Sequence, residues 1–318
     1  MSLKLITKRL LTRDFLFPIP VNQRTEIPKV SIKTTTYNHE PFIGQAVESV
    51  LMQKVNFDYE LIIGEDCSTD RTRQKVKDYQ RQYPDKIRLL LPERNMGRRH
   101  NFLQTLKVCR GQYIAVLDGD DYWTSPYKLQ KQADYLDGHP ECAICFHNVM
   151  VIHEDEHPPY PFHGKRLNPV LGMEDLLCNN FIPTCSTMFR NGLFANFPSI
   201  FDDLAYSDWP LHILNAMYGT IGYIDEVMGV YRIHSGGVWS QGNHPSAYTI
   251  IRHAKADIRF YKKVNKFLGY RYNRLIQERI AIRRQNARQA VIDKITHGLI
   301  ERFPQLYKIY RHLSCSEN

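Results

Sequence analysis

"KVSIKTTTYNHEPFIGQAVESVLMQKVNFDYELIIGED", residues 29–66, decides the fold class. Its first nine residues are rich in β-branched side chains and read as a strand. Pro41 then suits the first position of a helix. Phe42, Ile43, Ala46, Val47, Val50 and Leu51 recur at helical spacing along one stripe. "YELIIGED", residues 59–66, is a second strand. A strand, a helix and a strand joined by short links form a right-handed crossover, so the two strands run parallel in one sheet.

The pattern continues outward. "STDRTRQKVKDYQRQYP" (68–84) opens on capping residues and ends at a proline, as a surface helix does. "KIRLLL" (86–91) is a third strand, "NMGRRHNFLQTLKVCRG" (95–111) a third helix ending at Gly111, and "QYIAVLD" (112–118) a fourth strand. Strands alternating with helices imply an α/β fold around a mostly parallel sheet. In such sheets ligands sit beyond the carboxyl ends of the strands. Polar clusters occupy those ends here: "TTTYNHE" after the first strand, "EDCSTD" after the second and "DGDD" after the fourth.

"DGDD", residues 118–121, places three carboxylates within four positions. Asp118, Asp120 and Asp121 repel one another unless something offsets their charge. Carboxylates two apart on a turn suit a hard divalent cation such as Mg²⁺ or Mn²⁺, which keeps waters and substrate phosphate oxygens in its shell. Too few protein ligands are present for a metal alone, so a metal–diphosphate complex is the expected occupant. An acidic turn capping the following helix is the plainer reading of the same residues.

The second half is less regular. Residues 126–137 read as a helix with Ser125 as cap and Pro126 first, and "ECAICFHNVMVI" (141–152) as a buried strand. "HEDEHPPYPFHGKRLNP" (153–169) reads as a loop from its prolines and charges. A short helix at 173–179, the segment "FIPTCSTMFR" (181–190), a helix in "YSDWPLHILNAMYG" (206–219) and "IGYIDEVMGVYRIHSGGVW" (221–239) follow. From about residue 245 the chain reads as two or three basic amphipathic helices.

Of the net charge of +9, residues 251–318 carry 16 Lys/Arg against 5 Asp/Glu. That asymmetry fits a solvated helical face, or attraction to an anionic membrane surface or partner. No apolar run is long enough to cross a bilayer. The first twenty residues have basic side chains inside a short apolar patch and no small-residue cleavage site, unlike a secretory signal. Seven scattered cysteines suit a reducing compartment. Cys142 and Cys145, three apart in a strand, are expected on opposite faces as buried thiols and not as zinc ligands. The expected setting is cytoplasmic, with peripheral contact at the cytoplasmic membrane face through the basic C-terminal region, and no nucleic acid.

Taken in order, "TTTYNHEPFIGQAVESVLMQ", "YELIIGEDCSTDRT", "NMGRRHNFLQTLKVCRGQYIAVLDGDDYW", "SDWPL" and "YRIH" resemble the inverting nucleotide-sugar glycosyltransferases of family 2, from about Val30 to His234. The resemblance implies a GT-A type fold, a nucleoside-diphosphate sugar donor (a UDP-sugar by preference), a divalent metal and a glycan or lipid-linked acceptor in surface-polysaccharide assembly. It places Thr36, Tyr37, Glu40 and Asp66 at the nucleoside, Arg98 or Arg99 at the base, ribose or phosphates, and Asp118 with Gly119 at the ribose or a metal-bound water. Asp120 becomes the direct metal ligand, and Asp121 a supporting or acceptor-side group. Asp208 of "YSDWPLH" becomes the general base, where the family usually carries a Glu-Asp pair and this chain has Ser207. Asp208 as a helix cap is the competing reading, as turn capping is for Asp66 and Asp70. His234 is implied at the metal or diphosphate, Trp239 on a mobile glycine loop, and Trp123 and Trp209 as acceptor walls or core.

The implied organisation is an N-terminal extension (1–28), a GT-A domain (29–244, its nucleotide half 29–125 and acceptor half 126–244) and a basic helical region (245–318). A sugar-phosphate nucleotidyltransferase would need a glycine-rich basic loop after the first strand, and "TTTYNHE" has none. An aspartate-nucleophile phosphohydrolase would carry its motif on an early strand, with a small hydroxyl residue where Tyr122 stands. A non-catalytic sugar-nucleotide-binding module is the remaining alternative.

Overall fold

The computed structural model describes residues 27–155, 157–204, 207–237 and 246–302. The extension expected at 1–28 lies outside them up to residue 26, as does Trp239. The first half builds β1 (Val30–Thr36), α1 (Ile43–Leu51), β2 (Tyr59–Glu65), α2 (Thr72–Gln82), β3 (Ile87–Leu90), α3 (Arg98–Lys107), β4 (Tyr113–Val116) and β5 (Tyr122–Trp123). The second half adds α4 (Lys128–Gly138), β6 (Cys142–His153), β7 (Tyr160–Pro161), β8 (Val170–Leu171), α5 (Met173–Cys178), β9 (Met188–Arg190), α6 (Asp208–Ala216) and β10 (Thr220–Ile233). Two long helices, α7 (Ala247–Phe267) and α8 (Asn273–Arg302), complete it.

One mostly parallel sheet runs in the order β3-β2-β1-β4-β9-β6-β10-β5. β9 is antiparallel to both β4 and β6, whereas β10 runs parallel to β6. The register places Thr36 opposite Glu65 and Lys33 opposite Val116, so β1, β2 and β4 deliver their following loops to one rim. The three polar clusters therefore share an edge, as the strand pattern implies.

Period-two alternation sorts the strands onto two cores. Leu61, Ile63, Tyr113 and Ala115 pack with Ile43, Val47 and Val50 of α1 and Leu129 of α4. Ile62, Ile114 and Val116 point the other way, into a cluster with Trp209 of α6 and with Phe260, Tyr261, Val264, Ile276 and Ile280 of α7 and α8. Each such buried side chain stabilises by about 1.5–3 kcal/mol, enough to keep these basic helices docked against the domain.

Local differences from the sequence reading have physical causes. α1 starts at Ile43 and not Pro41, and α4 at Lys128 and not Pro126. Ser125 Oγ caps nothing inside α4; it accepts the Tyr127 N–H at 3.3 Å. α3 ends at Lys107, short of Gly111. The stretch 153–169 holds the end of β6 and the short β7 as well as loop. Cys142 and Cys145 do not face opposite ways: both join the same core cluster, in a strand whose pairing with β10 shifts between Thr220 and Ile221. An irregularity of that kind cancels strict alternation. Both remain free thiols.

Candidate active site

The rim opens into a cavity of about 720 Å³. One side is formed by Thr35, Thr36, Tyr37 and His39 after β1, Asp66 after β2, Asn95 and Arg98 around the start of α3, and Asp118, Asp120 and Asp121 after β4. The far side is built by Asn180 and Thr184, by Ser207, Asp208 and Trp209, and by Tyr231, Arg232, Gly236 and Gly237. His253, Asp257 and Arg283 bring α7 and α8 into the same wall.

His39, Asp120 and His234 converge there. Asp120 Oδ2 lies 3.1 Å from His234 Nε2 and 3.7 Å from His39 Nε2. One ligand atom from each residue falls within 4.8 Å of the others. Burial works against ionisation of Asp120, but the His234 bond and the His39 ring outweigh it and hold its carboxyl below the usual range. Phe42 packs on His234 with ring centroids 4.6 Å apart and braces the pair. Two imidazoles and a carboxylate suit a borderline divalent metal and leave positions for phosphate oxygens.

His39 went unseen in the sequence. Its placement follows from Asn38, which adopts the left-handed region (φ 54°) that asparagine tolerates. Asn38 N–H donates to Ser68 Oγ at 2.9 Å, and Asn38 Oδ1 accepts Thr69 N–H at 2.9 Å, so the loops after β1 and β2 interlock. An Asn-His pair just past a strand end was the available signal.

The other two aspartates of the acidic turn do different work. Asp118 accepts from Thr35 Oγ1 at 2.8 Å and lies 3.7 Å from the fully buried Lys33 ammonium, which donates to Thr35 Oγ1 at 3.1 Å. Lys33 was also missed, although a lone lysine inside "VSIKTTT" is a detectable anomaly. Asp121 is buried and accepts the Arg232 N–H at 2.8 Å, tying β10 to the turn. Burial and the neighbouring Asp120 push its carboxyl well above the ordinary range. Gly119 lets the turn approach β1, since a Cβ there would sit 2.7 Å from Thr36 Cβ.

Asp208 opens α6 with its side chain in the cavity, where Oδ2 accepts from Asn180 Nδ2 at 2.9 Å and faces Thr184 Oγ1 at 3.4 Å. No side-chain cap bond forms at this helix start. Asn180 and Thr184, neither singled out in the sequence, thus hold the carboxylate beside Ser207. One turn on, burial drives His212 down to about 4 despite Asp208, so that ring is neutral.

Other expected site residues are engaged by partners of their own, some of them away from the cavity. Glu40 turns from the cavity and binds the Arg71 guanidinium and N–H at 2.9 and 3.0 Å. Arg99 pairs with Asp202 at 3.0 Å and stacks over Phe197, so of the two only Arg98 lines the cavity. Trp123 is a core residue, donating to Cys185 O at 2.8 Å beneath the buried Lys128. Trp209 touches the cavity but is mainly core, stacked on Phe260. Asp66 lines the cavity, yet its two oxygens accept the Met96 and Gly97 N–H groups at 2.8 and 2.9 Å. Asp70 caps: it accepts from Thr72 N–H at 2.9 Å and Glu40 N–H at 3.0 Å.

Residues 31–195 match the model of glycosyl transferase family 2. The chain belongs to that family. Relatives include an uncharacterized protein of Mycobacterium tuberculosis, 40% identical over 224 residues, which are 69% of this chain and 62% of the relative. The match thus spans under two thirds of that relative's length. A Bacillus subtilis protein named for a teichuronic acid biosynthesis glycosyltransferase, TuaG, is 34% identical over 51% of this chain and 62% of its own. Among solved structures, Staphylococcus aureus TarS (residues 1–349, with UDP) aligns at a TM-score of 0.52 and 19% identity, over 77% of this family 2 chain and 73% of TarS. The mannosyltransferase PcManGT of Pyrobaculum calidifontis, with GDP-Man and Mn²⁺, aligns at 0.54 and 16%, over 92% and 84%. At such identities the likeness establishes the fold. Among the described residues, no helix is long and apolar enough to cross a membrane.

Proposed function

We propose that this family 2 chain is an inverting glycosyltransferase that moves a sugar from a nucleoside-diphosphate sugar, by preference a UDP-sugar, to an acceptor hydroxyl. The observation carrying this reading is one cavity with the His39–Asp120–His234 cluster on one side and Asp208, held by Asn180 and Thr184, on the other. A divalent cation on that cluster would offset the charge that develops on the departing diphosphate. The mixed nitrogen and oxygen donors favour Mn²⁺ over Mg²⁺. Thr36, Tyr37 and Asp118 border the nucleoside end, with Arg98 beside the phosphates.

Asp208 takes the acceptor hydroxyl proton as that oxygen bonds to the anomeric carbon. The sugar–diphosphate bond breaks on the opposite face and its electron pair leaves with the nucleotide, which inverts the anomeric centre. Ser207, Trp209, His253 and Arg283 border the acceptor approach. We assign the acceptor to polysaccharide or lipid-linked glycan assembly, a reading supported by the name of the TuaG relative. The basic face of the C-terminal helices is assigned to the cytoplasmic membrane surface; unchanged liposome association after deletion of residues 251–318 would sink that assignment.

A thermal-shift screen of nucleotide sugars with and without Mn²⁺ tests donor and metal together. Slow metal-dependent donor hydrolysis, lost in Asp120→Ala and Asp208→Ala, is expected. Tight UDP binding with no turnover on any acceptor pool would instead make the chain a binding module.

A further inference from the structure

Outside the cavity, three further side chains of types that can ligate a metal meet where β6 ends. His153 Nδ1 is 4.0 Å from Asp155 Oδ1, and His157 Nδ1 is 2.5 Å from the same oxygen. One ligand atom of each lies within 4.8 Å of the other two. The spacing His-x-Asp-x-His draws all three donors from five consecutive residues. We propose that this cluster is a second divalent-metal site, of the zinc class, that fixes the turn carrying His234.

The donor set is two imidazoles and one carboxylate, which suits Zn²⁺ and leaves a fourth tetrahedral position for water. Zn²⁺ at about 2.1 Å from each ligand needs ligand atoms about 3.4 Å apart. The observed separations of 4.0 and 2.5 Å bracket that value, and Asp155 and His157 are exposed side chains. His153 is already oriented: its ring is 7% exposed and lies between His157 and Tyr160, at 5.3 and 5.8 Å. Its Nε2 faces the Tyr160 hydroxyl at 3.4 Å, leaving Nδ1 toward Asp155. An outer hydrogen bond on the second ring nitrogen is how metal-binding histidines are commonly held.

Glu154 connects this cluster to the catalytic cavity. Its N–H donates to Ile233 O at 3.0 Å, and its carboxylate accepts the Ser235 N–H at 3.0 Å and faces Ser235 Oγ at 3.5 Å. Ser235 lies between His234 and the cavity-lining Gly236 and Gly237. A cation bound by residues on either side of Glu154 would fix that carboxylate, and with it the His234 turn. The zinc class follows from the donor set and requires neither nucleotide nor turnover.

Equilibrium dialysis against Zn²⁺ on the full chain tests the site. A His39→Ala/Asp120→Asn background disables the cavity cluster, and it should retain one zinc per chain. Adding His157→Ala should weaken that binding at least about tenfold, and Tyr160→Phe about 10–100-fold. A background that holds no zinc at micromolar concentrations, or zinc retained unchanged after His157→Ala, overturns the site. Zinc should also slow hydrogen exchange of the Ser235 amide in the background and not after His157→Ala. Unchanged exchange with zinc bound overturns the link to the His234 turn.

Discussion

Removing the Asp66 carboxylate separates a scaffolding role from direct nucleotide contact. Asp66 is 2% exposed, and its two oxygens accept the Met96 and Gly97 N–H groups, which set residues 95–97 against the end of β2. Asn95 reinforces the tie through a 2.9 Å bond to Asp66 O. Hydrogen bonds to a charged acceptor are worth about 1.5–3 kcal/mol each, so Asp66→Ala removes about 3–6 kcal/mol. Met96 and Gly97 are only half-buried, so water can reach the freed donors and the lower end applies. About 3 kcal/mol corresponds to a Tm fall of about 6–12 °C at 2–4 °C per kcal/mol. Asp66→Asn keeps one acceptor and should lose about half as much. Differential scanning fluorimetry without ligand measures the Tm change, and UDP titration measures its consequence, since the same loop presents Arg98. If Asp66→Ala leaves the apo Tm unchanged yet abolishes UDP binding, the carboxylate serves the nucleotide and the scaffolding argument is wrong.

Three other outcomes are expected. His39→Ala should weaken Mn²⁺-dependent UDP binding at least about tenfold while leaving metal-free binding unchanged by calorimetry; equal losses with and without Mn²⁺ would remove His39 from the metal cluster. Asp208→Asn should lower kcat about 10²–10⁴-fold. Its donor affinity should hold, because Asp208 is not part of the His39–Asp120–His234 cluster; loss of donor binding in place of kcat would contradict the proposed role as base. Lys128, buried with its Nζ 3.8 Å from the Trp123 ring centroid and no hydrogen-bond partner among the described residues, is pushed down to about 7 by burial. Between about pH 7 and the ordinary lysine range the unfolded chain binds a proton that the folded chain does not, so stability rises with pH at about 1.4 kcal/mol per unit. Lys128→Met abolishes that slope, so its advantage in urea unfolding should shrink from pH 7.5 to 9.5; a constant gap would refute the burial of a neutral amine.

Much of the site was legible because the signals were local. A strand end is marked by where β-branched alternation stops, and the residues just beyond it in a parallel sheet fall on one rim. "TTTYNHE", "EDCSTD" and "DGDD" could therefore be assigned to a common edge. Less legible was the direction of a side chain that could leave the loop by more than one route. Glu40 and Asp66 sit at the expected rim, yet Arg71 claims the first and the Met96 and Gly97 amides engage the second. Arg98 and Arg99 are adjacent in the chain, but successive residues on a helix point in different directions, so only Arg98 reaches the cavity.

The sequence by itself determined the alternation of strands and helices, the parallel half of the sheet and the carboxylate turn after β4, because each is written in short-range periodicity. Tertiary structure decided the partners. Asp120 and His234 are 114 positions apart and meet because Asp121 accepts the Arg232 N–H, binding β10 to the acidic turn. His39 joins them through the left-handed bend at Asn38, and Asp208 is held by Asn180 and Thr184 from a separate segment. No repeating pattern encodes such meetings. They depend on register, loop dihedrals and competition for hydrogen bonds, which exist only once the chain is folded.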